Sequence, residues 1–218
     1  MCIIIHIATG VYKNITAEII KPVCQRTDGF LFLSAGGIYT KEKAVILDEN
    51  AMKRAITRIT YEILEQNKGA DSLCIVGILS RGSFIARRIA DKISELEGVN
   101  VKCGELDITP YRDDKRKFSY SDRTTMIDFD INDKLIILVD DVIYTGRSAR
   151  AAIDALIERG RPRRIQLAVL VDRGHREVPI RPDFIGKNVP TSHEEKVKVQ
   201  VTEADGCDSV AIFVPDEQ

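Results

Sequence analysis

The chain has 218 residues, 44% of them hydrophobic and 30% charged, with a formal net charge of −1. That length suffices for one α/β domain with a sizeable core and an appendage, and the charge balance excludes a polycation, so any nucleic-acid binding must come from a local basic patch. The five cysteines (Cys2, Cys24, Cys74, Cys103, Cys207) lack a CxxC pair, which points to a reducing compartment and no zinc site; Cys74 and Cys103 fall in strand-like runs and read as buried thiols.

No apolar run approaches the roughly 20 residues of a membrane span. The run from Cys2 to Ala8 has no basic region before it, so it is not read as a signal peptide. Residues 1–42 carry small apolar clusters, Ile3 to Ile7 and Phe30 to Leu33, broken by Gly10, Pro22, Gly29 and Gly36-Gly37. No chemistry attaches to them, and His6 reads as a residue in a weak strand. The stretch is expected to be a poorly ordered N-terminal extension, or upstream sequence taken in by an early start codon, dispensable for activity. Residues 43–218 read as one domain without internal repeats.

From Asp48, an N-cap candidate, a helix is predicted. Ala51, Met52, Ala55, Ile56, Ile59 and Ile63 share one face, with Lys53, Arg54, Thr57, Arg58 and Tyr61 on the other, and Gly69 ends it. The plain reading of that basic face is a solvated surface. Leu73 to Leu79 is a buried strand emptying into Ser80-Arg81-Gly82, with a helix carrying Ile85, Ala86, Ile89, Ala90 and Ile93 behind it. Such a turn either binds an anion through Arg81 and its backbone or is an ordinary strand-to-helix connection. Val101 to Ile108 is a third strand, nearer the sheet edge. From Thr109 to about Asp128 regular patterning stops, and Arg112, Lys115, Arg116, Lys117 and Arg123 alternate with acids, Ser, Tyr and Thr. A polar loop of about 20 residues inside a compact domain is usually functional or disordered.

The segment Leu135 to Ser148, LIILVDDVIYTGRS, opens as an apolar strand suited to burial on both faces of a parallel sheet. It is expected to stop at Asp140-Asp141. The turn Tyr144-Thr145-Gly146-Arg147-Ser148 follows, then a helix from Arg147 to Arg159. Backbone N–H groups and the hydroxyls of Thr145 and Ser148 at a helix start favour an anion, and two carboxylates just before them suit sugar hydroxyls. Singly, the acid pair could be a phosphoacceptor cluster or a helix cap, and the turn could cap any helix. The sequence has neither G-x-x-x-x-G-K-[ST] nor a G-x-G-x-x-G after a strand, which argues against P-loop and dinucleotide sites. After Gly160, the cluster Arg159, Arg161, Arg163 and Arg164 is a solvated surface by default and a phosphate contact at its sharpest. Ile165 to Val171 is another buried strand, ended by Asp172-Arg173-Gly174-His175-Arg176, where a base-recognising hood can hang over a ribose site. His175 is tempting as a general base, but a lone loop histidine is more often structural. Pro179, Pro182 and Pro190 make 179–192 a shaped loop. Lys196 to Val201 alternates as a half-exposed strand, and a turn through Asp205-Gly206 leads into Val210 to Val214, completing a hairpin.

The acid-pair segment resembles the motif for phosphoribosyl diphosphate (PRPP) in type I phosphoribosyltransferases. Lys43 to Asp48, Val171 to Glu177 and Gly186 to Ser192 are similar to segments of the PyrR family, pyrimidine operon attenuators that are also uracil phosphoribosyltransferases. The resemblance runs from about Lys43 nearly to the C-terminus. It implies an α/β type I phosphoribosyltransferase fold: a mostly parallel twisted sheet flanked by helices, with a C-terminal hood and a β-hairpin. It implies conversion of uracil and PRPP to UMP and diphosphate. Asp140 and Asp141 would hold the ribose hydroxyls, and Tyr144, Thr145, Gly146, Arg147 and Ser148 the 5′-phosphate. Ser80, Arg81 and Gly82 would form the pyrophosphate loop, with Arg112 joining Arg81 against the leaving group, and Asp172 and Arg173 would lie at the hood. Mg²⁺ is the implied cofactor, held mostly by PRPP oxygens rather than by direct protein ligands. The patternless loop would be a mobile one closing over the substrates. Tyr111-Arg112-Asp113-Asp114 matches the family, while the rest of the loop is divergent and short.

The same resemblance implies UMP-dependent binding of the messenger RNA leader of a pyrimidine operon through the first helix. Thr57 and Arg58 match the family there; Tyr61 and Gln66 stand where many members have His and Arg, and Tyr61 can stack on a base. A cytoplasmic homodimer or higher homo-oligomer, with no membrane contact, is implied as well. Competing expectations are a uracil phosphoribosyltransferase without RNA regulation and a purine phosphoribosyltransferase with a different hood. A receiver-type module is the weakest, because the acid pair lies mid-chain and no isolated phosphoacceptor Asp stands on another strand.

Overall fold

A computed structural model describes residues 32–34, 37–113 and 125–215. The expectations for the extension up to residue 31, with Cys2, Cys24 and His6, and for Lys115, Arg116, Lys117 and Arg123 lie outside the described residues.

Two sheets share the core. The larger has five parallel strands in the order β4-β3-β5-β6-β7: β3 (Leu73–Ile78), β4 (Lys102–Leu106), β5 (Leu135–Ile143), β6 (Arg164–Asp172) and β7 (Phe184–Asn188). All of β3 and the first five residues of β5 are buried, as expected of strands covered on both faces by crossover helices. Helices α1 (Glu49–Asn67) and α2 (Arg81–Glu97) cover one face, where Ile59, Ile63, Ile85, Ile89 and Ile93 meet Ile75, Ile137 and Leu170. Helix α3 (Arg147–Arg159) covers the other through Ala151, Ala152, Ala155 and Leu156, against Val76, Ile136 and Leu138. Small alanines on α3 let it sit close to the sheet, fixing the height of its N-terminus beside β5. No helix among the described residues is long and apolar enough to cross a membrane.

The smaller sheet is antiparallel, in the order β1 (Phe32–Ser34), β2 (Gly37–Leu47), β9 (Ser209–Pro215) and β8 (Lys196–Gln200). The expected hairpin is β8 and β9, joined by the short helix α4 (Thr202–Asp205) rather than by a tight turn. It does not stand alone: β9 pairs along its other edge with β2. Strand β2 begins at Gly37, so part of the stretch assigned to the extension is laddered against the C-terminal strand.

Helix α1 begins as predicted, with Asp48 Oδ1 accepting from Ala51 N at 2.7 Å, and ends with Lys68 in the left-handed region, one residue before the expected Gly69. Two expectations are corrected. The strand at the acid pair does not stop there. Asp140 pairs with Val169 and Val142 with Val171, so β5 carries both acids as ladder residues and ends at Ile143. The loop 179–192 is not strandless either, because β7 pairs in parallel with β6. Its Gly186 hid it from a pattern search and explains its position: a Cβ there would lie 2.4 Å from Leu170 O. Burial raises the Cys74 thiol and pushes the half-buried Cys103 up to about 11, so both are poor nucleophiles.

Candidate active site

The carboxyl end of β5 opens onto a cleft of about 280 Å³, lined by Arg112, Asp113, Asp140 and the run from Val142 to Ala149. Asp140 lines it and Asp141 follows on β5; both are half-buried. Each folds back on the chain: Asp140 Oδ1 accepts from Asp141 N at 2.9 Å, and Asp141 Oδ1 from Val142 N at 2.8 Å. Burial, then the Asp141 charge beside it, pushes the Asp140 carboxyl well above the usual carboxylate range, with Arg112 opposing. Burial raises Asp141 as well, against the pull of Val142 N and Arg81. Two such neighbours titrate as a unit and hold a proton readily until cations or hydroxyl donors arrive.

Beside the acids, α3 starts with no side-chain cap. Its first residues, Gly146 to Ala149, line the cleft, where the N–H groups of a helix start favour an anion. Gly146 makes the entry turn at φ 87°, and a Cβ there would sit 2.7 Å from Val178 Cγ2. The Thr145 hydroxyl accepts weakly from Arg147 N at 3.4 Å, while Thr145 O is held by the N–H groups of Glu177 and Val178 at 3.0 and 3.2 Å. Arg147 is not aimed at an empty cradle. Its guanidinium pairs with Asp113 at 2.7 Å and Glu177 at 2.6 Å across the cleft mouth. These are exposed pairs of low individual strength, which an incoming phosphate can displace.

The second turn, Ser80-Arg81-Gly82, meets β5 beside the acid pair. A Cβ on Gly82 would lie 2.8 Å from Val139 O and 3.1 Å from Asp140 Cα, so only glycine lets α2 begin against the acid pair. Gly77 serves the same approach from β3, where a Cβ would meet Ser83 Cα at 2.5 Å. The Leu79-Ser80 peptide is cis. Arg81 is held by Asp205 of α4, with Nε to Oδ2 at 3.0 Å and Nη2 to Oδ1 at 2.7 Å. Arg112, Asp140 and the run 144–148 thus line one cleft, and the Gly82 approach sets the Arg81 turn beside Asp140.

A family model described as "Phosphoribosyl transferase domain" matches residues 44–204. The bifunctional protein PyrR of Limosilactobacillus fermentum is 58% identical over 171 residues, covering 77% of this chain and 96% of that protein. The chain belongs to the PyrR family of phosphoribosyltransferases. A Lactococcus lactis subsp. cremoris relative named pyrimidine operon regulatory protein is also 58% identical, over 167 residues, covering 77% of this chain and 95% of its own length. Among solved structures, a hypoxanthine phosphoribosyltransferase of Trypanosoma cruzi superimposes with a TM-score of 0.60 at 17% identity, over 80% of this chain and 98% of that one. At that identity the likeness is one of fold.

In this PyrR-family chain the hood is knitted by two arginines. Asp172 ends β6, accepting from Gly174 N at 2.9 Å and Arg176 Nη2 at 2.6 Å; Arg176 also donates to Tyr144 O at 2.8 Å and Ile180 O at 3.0 Å. Arg173, expected at the substrate, is buried. It donates to Thr191 Oγ1 at 3.1 Å, Ser192 O at 3.0 Å and Glu195 O at 2.7 Å, and its guanidinium lies 4.1 Å from the Tyr144 ring centroid. Its side chain therefore builds the hood, and its backbone N–H donates to Ile143 O at 3.2 Å. His175 sits at φ 60° with Nε2 2.6 Å from Thr191 O, and its ring lies 3.9 Å from that of His193. That contact fits the structural role expected of it. His193, Glu195, Glu177 and Asp205 were not singled out, because each meets its partner across a long sequence gap with no local signature.

On α1, Lys53, Arg54, Thr57, Arg58, Tyr61, Glu62 and Glu65 line an open depression of about 570 Å³. Tyr61 is exposed, as a stacking platform must be. Arg58 is partly spoken for: it donates to Ile185 O at 3.1 Å and to Gly186 O on β7, and pairs with Glu62 at 3.3 Å.

Proposed function

We propose that this PyrR-family chain converts uracil and PRPP to UMP and diphosphate at the β5 cleft, and binds a pyrimidine-operon RNA leader in a UMP-dependent manner. The observation that carries the catalytic half is the juxtaposition of the paired Asp140 and Asp141 carboxyls with the uncapped N-terminus of α3 and the Arg81 turn. A phosphorylated ribose bearing a diphosphate needs those three features together.

Asp140 and Asp141 accept hydrogen bonds from the ribose hydroxyls, holding the ring as its anomeric carbon gains oxocarbenium character. The N–H groups of the α3 start and the hydroxyls of Thr145 and Ser148 hold the 5′-phosphate. Arg147 exchanges its acid partners for that phosphate. Arg81 and Arg112 take up negative charge growing on the diphosphate as its bond to the anomeric carbon breaks and the bond to uracil N1 forms, the N1 proton passing to the departing diphosphate or to water. Backbone amides of the hood read the uracil edge. Catalysis is chiefly positioning and electrostatics, so it depends on the rigidity of the two turns.

The donor set fits Mg²⁺. Asp140 and Asp141 offer hard carboxylate oxygens, and among the described residues no group of three or more Asp, Glu, His or Cys side chains converges. PRPP oxygens and waters would supply most of its shell, with Asp140 and Asp141 acting mainly through the ribose hydroxyls and those waters. Bound there, it supplies positive charge to the diphosphate.

The RNA half rests on the α1 face, where Thr57, Arg58 and Tyr61 combine donors, charge and a ring. The same reading places the protein in the cytoplasm as a homodimer or larger homo-oligomer, which sedimentation velocity tests. A spectrophotometric assay with PRPP and Mg²⁺, run with uracil and with hypoxanthine, tests the catalytic half. Turnover of uracil alone supports it, and preference for hypoxanthine assigns the hood to purines.

A further inference from the structure

Two arginines of α2, Arg81 and Arg88, lie on one side of the helix two turns apart and both reach the β8–β9 connection. Arg88 grips it: Nε and Nη2 bond Glu203 at 2.8 and 2.6 Å, and Nη1 and Nη2 bond Asp208 at 2.6 and 2.8 Å. These bonds dock the connection on α2. Arg81 makes a different contact. Asp205 takes its Nε–Nη2 edge in a two-pronged pair, while Asp205 Oδ2 is itself fixed by Val201 N at 3.0 Å. Among the described residues Arg81 Nη1 has no hydrogen bond. A planar guanidinium clamped along one edge can turn only its remaining edge outward. Gly82, the next residue, abuts Val139 and Asp140, which sets the start of α2, and Arg81 with it, beside the acid pair on β5.

We infer that Asp205 is a positioning residue for phosphoribosyl transfer, holding Arg81 along its Nε–Nη2 edge so that the Nη1 edge meets the diphosphate of PRPP. The inference rests on the proposed role of Arg81 as a diphosphate ligand. An unclamped arginine samples several rotamers and meets the anion in a fraction of them. A clamped one arrives with its entropy cost already met by the fold. Asp205 also keeps the local charge balanced, because the half-buried Lys198 stands near both partners.

The test compares Arg81→Met, Asp205→Asn, Asp205→Glu and Arg88→Gln in the full chain. Each is assayed for KM of PRPP, for inhibition by inorganic pyrophosphate and for UMP binding. The expected result is a rise of about tenfold or more in KM for PRPP and in the pyrophosphate inhibition constant for Arg81→Met and Asp205→Asn. Asp205→Glu should recover part of that loss, and UMP affinity should be unchanged throughout. Arg88→Gln should lower the melting temperature while leaving both pyrophosphate constants within twofold. An unchanged KM and inhibition constant in Asp205→Asn, with Arg81→Met impaired, would overturn the positioning role and leave a structural ion pair. Unchanged constants in Arg81→Met would instead remove the diphosphate role of Arg81, and the inference with it. If Asp205→Asn does not fold, Asp205→Ser decides: wild-type KM for PRPP and wild-type pyrophosphate inhibition in a variant that cannot clamp Arg81 overturn the proposal.

Discussion

At the scale of single residues, close approach and shared charge explain more of the site than any one contact. Gly82 is required because β5 backbone stands where a Cβ would go. Gly82→Ala is expected to cost about 1–3 kcal/mol, as overpacking does, and to raise KM for PRPP by lifting the turn off Asp140. Urea unfolding and steady-state kinetics read the two effects, and an unchanged KM contradicts the placement. The acid pair makes a pH prediction. Burial raises Asp140 and Asp141, so in the ligand-free protein they keep protons above the ordinary carboxylate pKa of about 4. Affinity for PRPP with Mg²⁺ should therefore weaken as pH falls through that raised range. A titration with no loss of affinity until pH 4 contradicts it. The DD-then-TGRS pattern made these residues legible, because the ligand chemistry sits in consecutive positions. The partners Asp205, Glu195 and His193 were illegible, since an ion pair spanning more than a hundred residues, as Arg81 to Asp205 does, leaves no trace in local pattern.

At the scale of elements, buried strands and capped helices announced themselves. The central strands β3, β5 and β6 are apolar runs, and Asp48 caps α1 where expected. β7 did not, because its glycine and flanking prolines are what a loop also shows, and β5 ran past its acids because ladder bonds involve backbone and ignore side-chain polarity. The α2–α4 junction gives an element-level prediction. Burial would raise Asp205 and Asp208, but hydrogen bonds from Arg81 and Arg88 hold both below the ordinary value; Glu203 is lowered chiefly by Arg88. Lowered carboxylates contribute stability that is present above their unfolded pKa of about 4 and is lost as pH falls through their folded values. Arg88→Gln should cost roughly 1–2 kcal/mol near neutrality, between the exposed and buried ion-pair ranges, and flatten the acid side of the stability curve. Denaturant melts from pH 3 to pH 7 check this, and parallel curves for the two proteins contradict it. For α1, Arg58→Ala should weaken binding of a pyrimidine-leader RNA about tenfold and spare turnover. Because Arg58 also holds β7, a small loss of stability should accompany it. Unchanged affinity in a filter-binding titration returns that face to plain surface.

At the scale of the whole molecule, the parallel sheet and the smaller sheet share no strand; they are tied by one hydrophobic cluster, in which Val199, Val210 and Ile212 join residues of α1, α2 and β3, and by ionic contacts. The C-terminal β8–β9 unit reaches α2 by Arg81 and Arg88, and β2 closes that unit from the N-terminal side. The parallel core was legible because its order of strand, turn and helix repeats along the chain. The second sheet was not, since β2 and β9 lie at opposite ends of the sequence and their pairing depends on the fold being already formed. The central claim is that the β5 acid pair carries phosphoribosyl transfer to uracil. The most direct test is UMP formation from uracil, PRPP and Mg²⁺ by the natural protein and by Asp141→Asn, prepared together and matched in melting temperature. The account predicts steady turnover by the natural protein and a loss on the order of a hundredfold or more in the variant, about 3 kcal/mol of transition-state stabilisation. Equal turnover by the two would contradict it.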